Sequence, residues 1–514
     1  MGLNWIDLLI IALYLAGITL FGLRFRKRQR TMRDYFLADR NIPWWAISLS
    51  IVAAETSTLT IISIPGLAYD SNLTFLQWVM GYVTGRVVIS FVLLPQYFRG
   101  ELYTAYQLIE RRFGSKLRTI TAGLFLLTRA AAEGVRVYAV SIVVSIALGT
   151  GEVVSIAIIT LLTLIYTFEG GLAAVIWTDV VQTFIYVGGT LVGLVTILHL
   201  VPGGWGAVES IAGNFHKFQV FDLSLFNAAV PSHWPHLNLS TPYTLWAGII
   251  GGAFFTTASH GTDQLIVQRL LAARNQRQSV LALLSSGIAV FFQFALFLFV
   301  GVMLFAYYRL PVAPFGRADR IYPTFIVTRM PHGIAGLLIA AILAAAMSNL
   351  SAALNSLSSS SVMDFYLRFR PGRRSEIISE SSSEISSELG SESNSEVSEA
   401  ARLRLARLVT VGWACVLFAL ALLALHRAGR VVEVGLQIAS IAYGALLGVF
   451  LLGALTKRAN QNGAIAGMIC GLGAELYLWG WSHVAFTWWV SIGTCVTFAV
   501  GYAASGLWSA SSEA

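Results

Sequence analysis

The sequence is poor in charge and in cysteine. Charged residues make up 12% of its 514 residues, whereas hydrophobic residues make up 56%. Such a chain cannot bury its apolar surface in a water-soluble core, which excludes an ordinary soluble protein. The three cysteines, Cys415, Cys470 and Cys495, lie in apolar stretches without metal-ligand spacing. Their placement excludes a disulfide framework and a cysteine-based metal site.

Motifs for covalent chemistry are also missing from the sequence. There is no nucleophile–base arrangement, no phosphate-binding loop and no metal-ligand cluster, so we expect neither an enzyme nor a cofactor other than a coupling ion. Without a nucleotide-binding motif, any active transport must be driven by an ion gradient. The net charge of +8 would suit a nucleic-acid-binding protein, but basic cytoplasmic loops of a membrane protein explain it better.

Long apolar runs fill most of the chain. A helix of roughly 20 apolar residues spans the hydrocarbon of a bilayer, and runs without alternation favour helices over a barrel. We therefore predict an all-α polytopic membrane protein with about thirteen transmembrane helices. These lie at residues 4–23, 43–68, 74–98, 118–148, 152–168, 172–200, 241–262, 276–307, 333–362, 403–426, 431–455, 461–482 and 485–506.

Basic residues predict the orientation. Seven lysines and arginines between residues 24 and 40 follow the first span, which places this connection in the cytoplasm and the N-terminus outside. An odd number of spans then places the C-terminus in the cytoplasm. Residues 308–333 are the exception, because this connection carries four arginines although it is predicted outside. We expect the protein in the plasma (inner) membrane.

The second span, residues 43–68, has a polar centre. Glu55 and its neighbouring hydroxyl residues stand where hydrocarbon is expected, and Pro65 and Gly66 follow. An ionisable residue inside a membrane indicates a functional site by default, and an interrupted, polar helix is typical of transporter binding sites. The alternative is that the hydroxyls bond to their own helix and that Glu55 has a structural partner.

Two later spans carry further polar groups. Residues 241–262 contain Gly248, Gly251 and Gly252 and end near His260, five spans after the first interruption, as in inverted-repeat transporters. These glycines would alternatively serve close packing. In the ninth span, Ser348, Ser351 and Asn355 share one helix face. Oxygen atoms on such a face suit a hard cation such as sodium, although interhelical hydrogen bonding is the alternative.

Charged residues in other spans need partners. Asp179 would hold a second cation or a proton, cap a helix or pair with an arginine. Arg129, Glu133 and Arg136 share one face of the fourth span, and Arg86 lies deep in the third. A central charge costs about 2.5–3.5 kcal/mol on insertion scales, so we favour an ion-pair network over substrate contact.

Five stretches resemble the sodium/solute symporter family. They read SIVAAETS, GGLAAVIWTDVVQ, GTDQLIVQRLLAARN, SNLSAALNSLSSSSVMDFY and VFLLGALTKRANQNGAIAG, in family order over most of the chain. The resemblance implies a LeuT-type core of ten helices in two inverted five-helix repeats, with one extra helix before the core and two after it. The implied divisions are 1–42 (first transmembrane helix and basic cytoplasmic loop), 43–200 (first repeat), 201–240 (extracellular or periplasmic segment), 241–455 (second repeat, including the Ser/Glu-rich cytoplasmic loop 375–399) and 456–514 (two C-terminal helices and tail).

The resemblance also implies sites. One sodium site would use the carbonyls of Ala53, Thr56 and Ala345 and the side chains of Ser348 and Asn349, although most relatives have Ser or Thr where Asn349 stands. A second sodium site would use Asp179 and Ser351, where Ala352 replaces an expected hydroxyl. Solute contacts would be Glu55, Thr60, Gln77, Asp263 and Gln437, with His260 as a further candidate. Sugar-transporting relatives have Asn in place of Glu55 and Gln in place of Thr60, so the solute stays open.

Together these features predict a sodium-coupled symporter that imports a small polar organic solute by alternating access. Its partners are then the solute, sodium and the lipid bilayer, with no nucleic acid and no obligate protein partner. One alternative is proton coupling through Glu55 or Asp179 on the same scaffold. Others are a membrane sensor without transport and a passive channel.

Overall fold

A computed structural model describes residues 2–26, 38–99, 105–166, 172–226, 237–309, 315–362, 392–426 and 429–510. This part of the chain is helical, and its two β-bridges are isolated pairs. The helices are α1 (Trp5–Arg26), α2 (Trp44–Glu55), α3 (Thr58–Asp70), α4 (Phe75–Val92), α5 (Leu94–Phe98), α6 (Ala105–Phe113), α7 (Ser115–Leu148), α8 (Glu152–Tyr166), α9 (Leu172–Leu200), α10 (Gly204–Asn214), α11 (Gly252–Gly261), α12 (Gln264–Leu271), α13 (Gln276–Tyr308), α14 (Ile321–Arg329), α15 (Ile334–Ser360), α16 (Glu392–Leu425), α17 (Val431–Leu455), α18 (Gln461–Trp481) and α19 (Trp489–Ala510). Short 3₁₀ turns lie at Ala38–Arg40, Ala318–Arg320 and Phe486–Trp488, and a π-helix lies at Ala247–Gly251.

The all-α membrane class is confirmed. Within the described ranges, 9 helices are long and apolar enough to cross a membrane, and the bent pair α2–α3 makes up to 10. Predicted spans 4–23 and 152–168 coincide with shorter apolar stretches, Trp5–Ile18 and Glu152–Leu164. The count of thirteen stays a prediction. Residues 375–391 of the Ser/Glu-rich loop lie outside the described residues, and from Glu392 the chain belongs to α16.

The predicted interruption of the second span is confirmed, with a bend of 64° between α2 and α3. Thr56 leaves the helical conformation (φ −83°, ψ 70°), and the Ser57 that follows is extended. The Ser57 N–H donates to the Glu55 carbonyl at 3.0 Å, and the Thr60 N–H donates to the Ser57 carbonyl at 2.9 Å. In a continuous helix these two N–H groups would bond the carbonyls of Ala53 and Thr56. The break therefore releases both carbonyls from their regular helical partners.

The seventh predicted span begins with the π-helix and continues into α11, which ends at Gly261. Its glycines allow close contact with α4. A Cβ at Gly248 would lie 2.6 Å from the Gln77 carbonyl oxygen, and one at Gly252 would lie 2.4 Å from that of Trp78. Both interpretations of the glycines thus apply, since they permit close packing in a helix whose hydrogen-bond pattern changes along its length.

The helices that carry the polar motifs pack against one another. α13 contacts α2, α3 and α4, and α9 contacts α2 and α15. α15 also packs against α1 and α7, while α17, α18 and α19 form a mutually packed group whose member α17 reaches α7 and α11. The two interrupted spans are therefore each packed against several other helices of the bundle.

Gly301 marks a close contact between α13 and α3. A Cβ there would lie 2.1 Å from the Pro65 carbonyl oxygen, and backbone cannot move aside cheaply. We expect Gly301→Ala to destabilise the folded protein by about 1–3 kcal/mol, measured as a lower thermal unfolding temperature in detergent. Gly188→Ala on α9 is the control, because nothing lies within 4 Å of its Cβ, and it should be neutral or stabilising. Equal unfolding temperatures for the two variants would contradict this packing.

Candidate functional site

A cavity of about 200 Å³ lies between the two interrupted spans. Its wall comes from the α2–α3 break, α4, α6, α7, α9, α11, α12, α13, α15 and α17. Aromatic rings form much of the wall, among them Phe75, Tyr82, Phe255, Phe294 and Tyr443. A largely apolar cavity with a few convergent polar groups is the usual form of a small-molecule site. Six of the predicted site residues line it: Glu55, Thr60, His260, Asp263, Ser348 and Asn349.

Glu55 belongs to a buried charge cluster at one end of the cavity. Its carboxylate forms an ion pair with the guanidinium of Arg86, and His260 Nε2 lies 3.4 Å from the same carboxylate oxygen. Arg86 is fully buried in α4, 3.2 Å from His260 Nε2, and its Nε donates to Ser286 at 3.2 Å. Ser259 Oγ lies 2.9 Å from His260 Nδ1. The cluster therefore joins both interrupted spans to α4 and α13, and it gives Glu55 the structural partner considered above while leaving it on the cavity wall.

The predicted sodium ligands lie on two elements beside the same cavity. Ser348 and Asn349 line the cavity from α15, and Ala345 is buried one turn before them. Ala53 and Thr56 are buried at the α2–α3 break, where the chain releases their carbonyls. Carbonyl, hydroxyl and amide oxygens without a carboxylate among them form a donor set for a hard, weakly held cation.

The Thr56 side chain is held from α13. Its hydroxyl donates to Gln293 Oε1 at 2.9 Å, and both side chains are buried. The bond fixes the residue at which α2 stops being helical. Gln293 was not among the predicted site residues, although a single polar residue at the centre of an apolar span indicates a functional or paired group.

Asp179 is paired with an arginine. Its Oδ2 accepts bonds from Ser50 Oγ at 2.6 Å and from Arg269 Nη2 at 3.1 Å, and Arg269 Nε donates to Ser50 Oγ at 2.8 Å. All three side chains are buried and come from α2, α9 and α12. Of the roles considered for Asp179, the pairing with an arginine is the one that these distances show. Ser351 is buried on α15, and a second sodium site at these residues stays a prediction.

The two predicted glutamine contacts do not line the cavity. Gln77 is fully buried, its Nε2 donates to the Tyr243 carbonyl at 2.7 Å, and its Oε1 accepts from the Asp222 N–H at 3.1 Å. It therefore ties α4 to the chain that precedes the π-helix. Gln437 is half-buried on α17, next to the cavity-lining Leu436.

The charges on α7 form the predicted ion-pair network. Glu133 accepts from Arg136 Nη1 at 2.6 Å and pairs with Arg129 Nη2 at 2.9 Å. Arg129 Nη1 also lies 3.8 Å from Asp263, the residue that caps α12 by accepting from the Leu265 N–H. Arg129 and Arg136 line the cavity as well, so the network borders the site and links α7 to α12.

The chain belongs to the sodium:solute symporter family, whose sequence model matches residues 35–471. It is 30% identical to the sodium/sialic acid symporter SiaT of Proteus mirabilis (strain HI4320), over 92% of this chain and 89% of that protein. It is 28% identical to the sodium/sialic acid symporter NanT of Aliivibrio fischeri, over 97% and 92% of the two chains. A sodium/glucose cotransporter of Vibrio parahaemolyticus is also 28% identical, over 93% and 86%.

Solved structures agree with this assignment. The fold superimposes with a TM-score of 0.78 on the substrate-bound outward-open state of a Na⁺-coupled sialic acid symporter, at 28% identity and with 98% of each chain covered. The nucleobase-cation-symport transporter Mhp1 in a closed conformation shares the fold, with a TM-score of 0.52, 12% identity and coverage of 93% and 94%. The predicted class, a sodium-coupled solute symporter, is confirmed.

Proposed function

We propose that this symporter imports a small polar organic solute through the cavity between the two interrupted spans. The supporting observation is the coincidence of two features at one place. The α2–α3 break releases two backbone carbonyls, and the oxygen-bearing face of α15 lines the cavity directly beside it. Sodium and solute would then be bound by adjoining parts of the same bent helix.

Sodium binds at Ala53, Thr56, Ala345, Ser348 and Asn349 in this proposal. The ion supplies a positive charge that draws the α2–α3 break towards α15, so it favours the conformation in which those oxygens converge. The solute binds beside the break and stabilises the same conformation. Each ligand thereby raises the affinity for the other, and the two cross the membrane together.

A sugar or sugar acid is the first solute class to test, because the relatives carry sialic acid or glucose. Glu55, Thr60, His260 and Asp263 supply polar contacts, and aromatic rings supply apolar surface for a sugar face. Gln77 and Gln437 stay predicted solute contacts, although neither lines the cavity. Asp179 and Ser351 are retained as a candidate second sodium site.

The proposal extends to architecture and membrane placement. Residues 43–200 and 241–455 would form the two inverted repeats, with residues 201–240 outside and the last two helices from residue 456 added to the core. The protein would lie in the plasma (inner) membrane with its N-terminus outside and its C-terminus in the cytoplasm, as the basic residues after the first helix favour.

Ser348→Ala tests the sodium site. Because it removes one of about five oxygen ligands, we expect the sodium concentration for half-maximal uptake to rise on the order of tenfold in proteoliposomes. Ser285→Ala is the control, since Ser285 also lies inside a membrane helix and bonds Ser48 Oγ at 2.9 Å, outside the cavity wall. An unchanged sodium dependence in the Ser348 variant would remove this site from the proposal, and uptake driven by a pH gradient in sodium-free buffer would favour proton coupling instead.

A further inference from the structure

Glu475 is a buried carboxyl outside the cavity and outside the site described above. It lies on α18 with no exposed surface, between α17 and α19. Its Oε2 has no hydrogen-bond partner among the described residues. A buried polar group without a partner costs stability, and an acidic residue inside a membrane is expensive. A residue that only filled space between three helices would be apolar.

The other carboxyl oxygen bonds to the backbone of a neighbouring helix. The N–H of Gly444 on α17 donates to Glu475 Oε1 at 2.9 Å. Thr494 Oγ1 of α19 donates to the Val490 carbonyl of its own helix at 2.7 Å and also lies 3.3 Å from the carbonyl oxygen of Gly444. Side chains of both helices packed against α17 thus approach the backbone of residue 444.

Two glycines make room for this carboxyl. A Cβ at Gly444 would lie 2.1 Å from Glu475 Oε1, and a Cβ at Gly493 on α19 would lie 2.3 Å from it. The approach of α18 to the α17 backbone therefore depends on missing side chains on both neighbours. Small residues in this arrangement permit a direct bond from side chain to backbone across a helix interface.

The bonded residue directly follows a residue of the cavity wall. Tyr443 lines the cavity, and its ring centroid lies 5.4 Å from that of Phe255 on the second interrupted span. Ala439 and Leu446 line the cavity from the same helix, one turn to either side. A shift of α17 at Gly444 would move this part of the wall.

We propose that Glu475 is a positioning residue for solute binding: through the N–H of Gly444 it fixes the part of α17 that places Tyr443 against the cavity. The inference rests on the proposed function, because it assigns the solute to that cavity. Glu475 does not touch the solute, and it contributes to affinity only by holding the wall in place.

Uptake in proteoliposomes tests the inference with radiolabelled sialic acid and glucose as probes. Glu475→Leu removes the acceptor, so we expect the solute KM to rise on the order of tenfold while the half-saturating sodium concentration, measured at saturating solute, stays unchanged. Glu475→Gln keeps an acceptor oxygen and should retain the wild-type KM. If the substitutions only disturbed the folded structure, both variants would show a lower maximal rate and a lower unfolding temperature, and the KM values of the Leu and Gln variants would not differ.

Ser505→Ala is the matched control. Ser505 Oγ of α19 accepts the N–H of Asn460 at the start of α18, at 3.1 Å, so this variant also removes a bond from a side chain to backbone between neighbouring elements. It lies at the far end of α18 from Glu475, and we expect a lower unfolding temperature with an unchanged KM. If Glu475→Leu yields no monodisperse protein, Glu475→Met, which also lacks an acceptor oxygen, takes its place, and a wild-type KM there overturns the proposal.

A second measurement does not depend on the solute. In a background with the three cysteines replaced by serine, Tyr443→Cys is labelled with a water-soluble maleimide. We expect Glu475→Leu to change the labelling rate and Glu475→Gln to leave it unchanged. Equal rates in all three proteins overturn the inference, even where wild-type uptake is normal. Absent uptake of both probes by the wild type, together with a changed labelling rate, counts instead against the proposed solute class.

Discussion

Replacing Arg86 with methionine is expected to remove most transport and to destabilise the folded protein by about 3–5 kcal/mol. The change leaves the Glu55 carboxylate buried beside His260 without its guanidinium partner, and Ser286 loses a donor. Because Glu55 is the last residue of α2, we expect the disturbance to reach the proposed sodium and solute positions together. Thermal unfolding in detergent and sodium-driven uptake measure the two effects.

An exposed ion pair provides the control for this prediction. Arg118 pairs with Glu110 at 2.7 Å, but both side chains are 36% exposed. Solvent screens such a pair, so Arg118→Met should cost less than about 1 kcal/mol and leave uptake intact. If the Arg86 and Arg118 variants lose similar amounts of stability and uptake, burial does not make the Glu55–Arg86 pair more important than an exposed ion pair.

Combining Arg86→Met with Glu55→Gln separates stability from transport. The double variant no longer buries an unpaired carboxylate, so part of the lost stability should return. Uptake should stay low, because residue 55 also lines the cavity. If the double variant is no more stable than Arg86→Met alone, the unpaired charge is not the cause of the instability.

The sequence allowed the interrupted helix to be predicted because its signal is local. Glu55, its neighbouring hydroxyls and Pro65 lie within one span, and their composition contradicts an ordinary membrane helix. The proposed sodium ligands on α15 were predicted from a helix face and from a family motif. Both depend on short stretches of chain, and the released carbonyls of Ala53 and Thr56 agree with them.

The partners of the buried charges were not predictable in the same way. Arg86 and His260 are 174 positions apart, and Asp179 and Arg269 are 90 apart. Which charges meet depends on how the helices cross and rotate, and a single sequence does not encode that angle in any short pattern. The aromatic wall was missed for a related reason, because aromatic residues also occur on surfaces that face the membrane, so a ring such as Phe255 does not by itself indicate a cavity.

Replacing Asp179 with asparagine is expected to lower uptake on the order of tenfold or more, because the guanidinium of Arg269 would remain buried without an anionic partner. The Asp179–Arg269 pair joins α9 to α12, and Ser50 bonds to both residues from α2. Loss of the pair therefore weakens the contact of the first interrupted span with α9 and α12. Sodium-driven uptake, measured at several sodium concentrations, reports both the rate and the apparent number of sodium ions.

The two roles of Asp179 predict different outcomes for a second change. If the ion pair is its function, Asp179→Asn combined with Arg269→Gln removes both charges and should recover part of the uptake, with the sodium Hill coefficient unchanged throughout. If Asp179 holds a second sodium with Ser351, then Asp179→Asn and Ser351→Ala should each lower the Hill coefficient, and neutralising Arg269 should not restore it. The 3.1 Å bond between Arg269 and Asp179 and their common bond to Ser50 favour the first result.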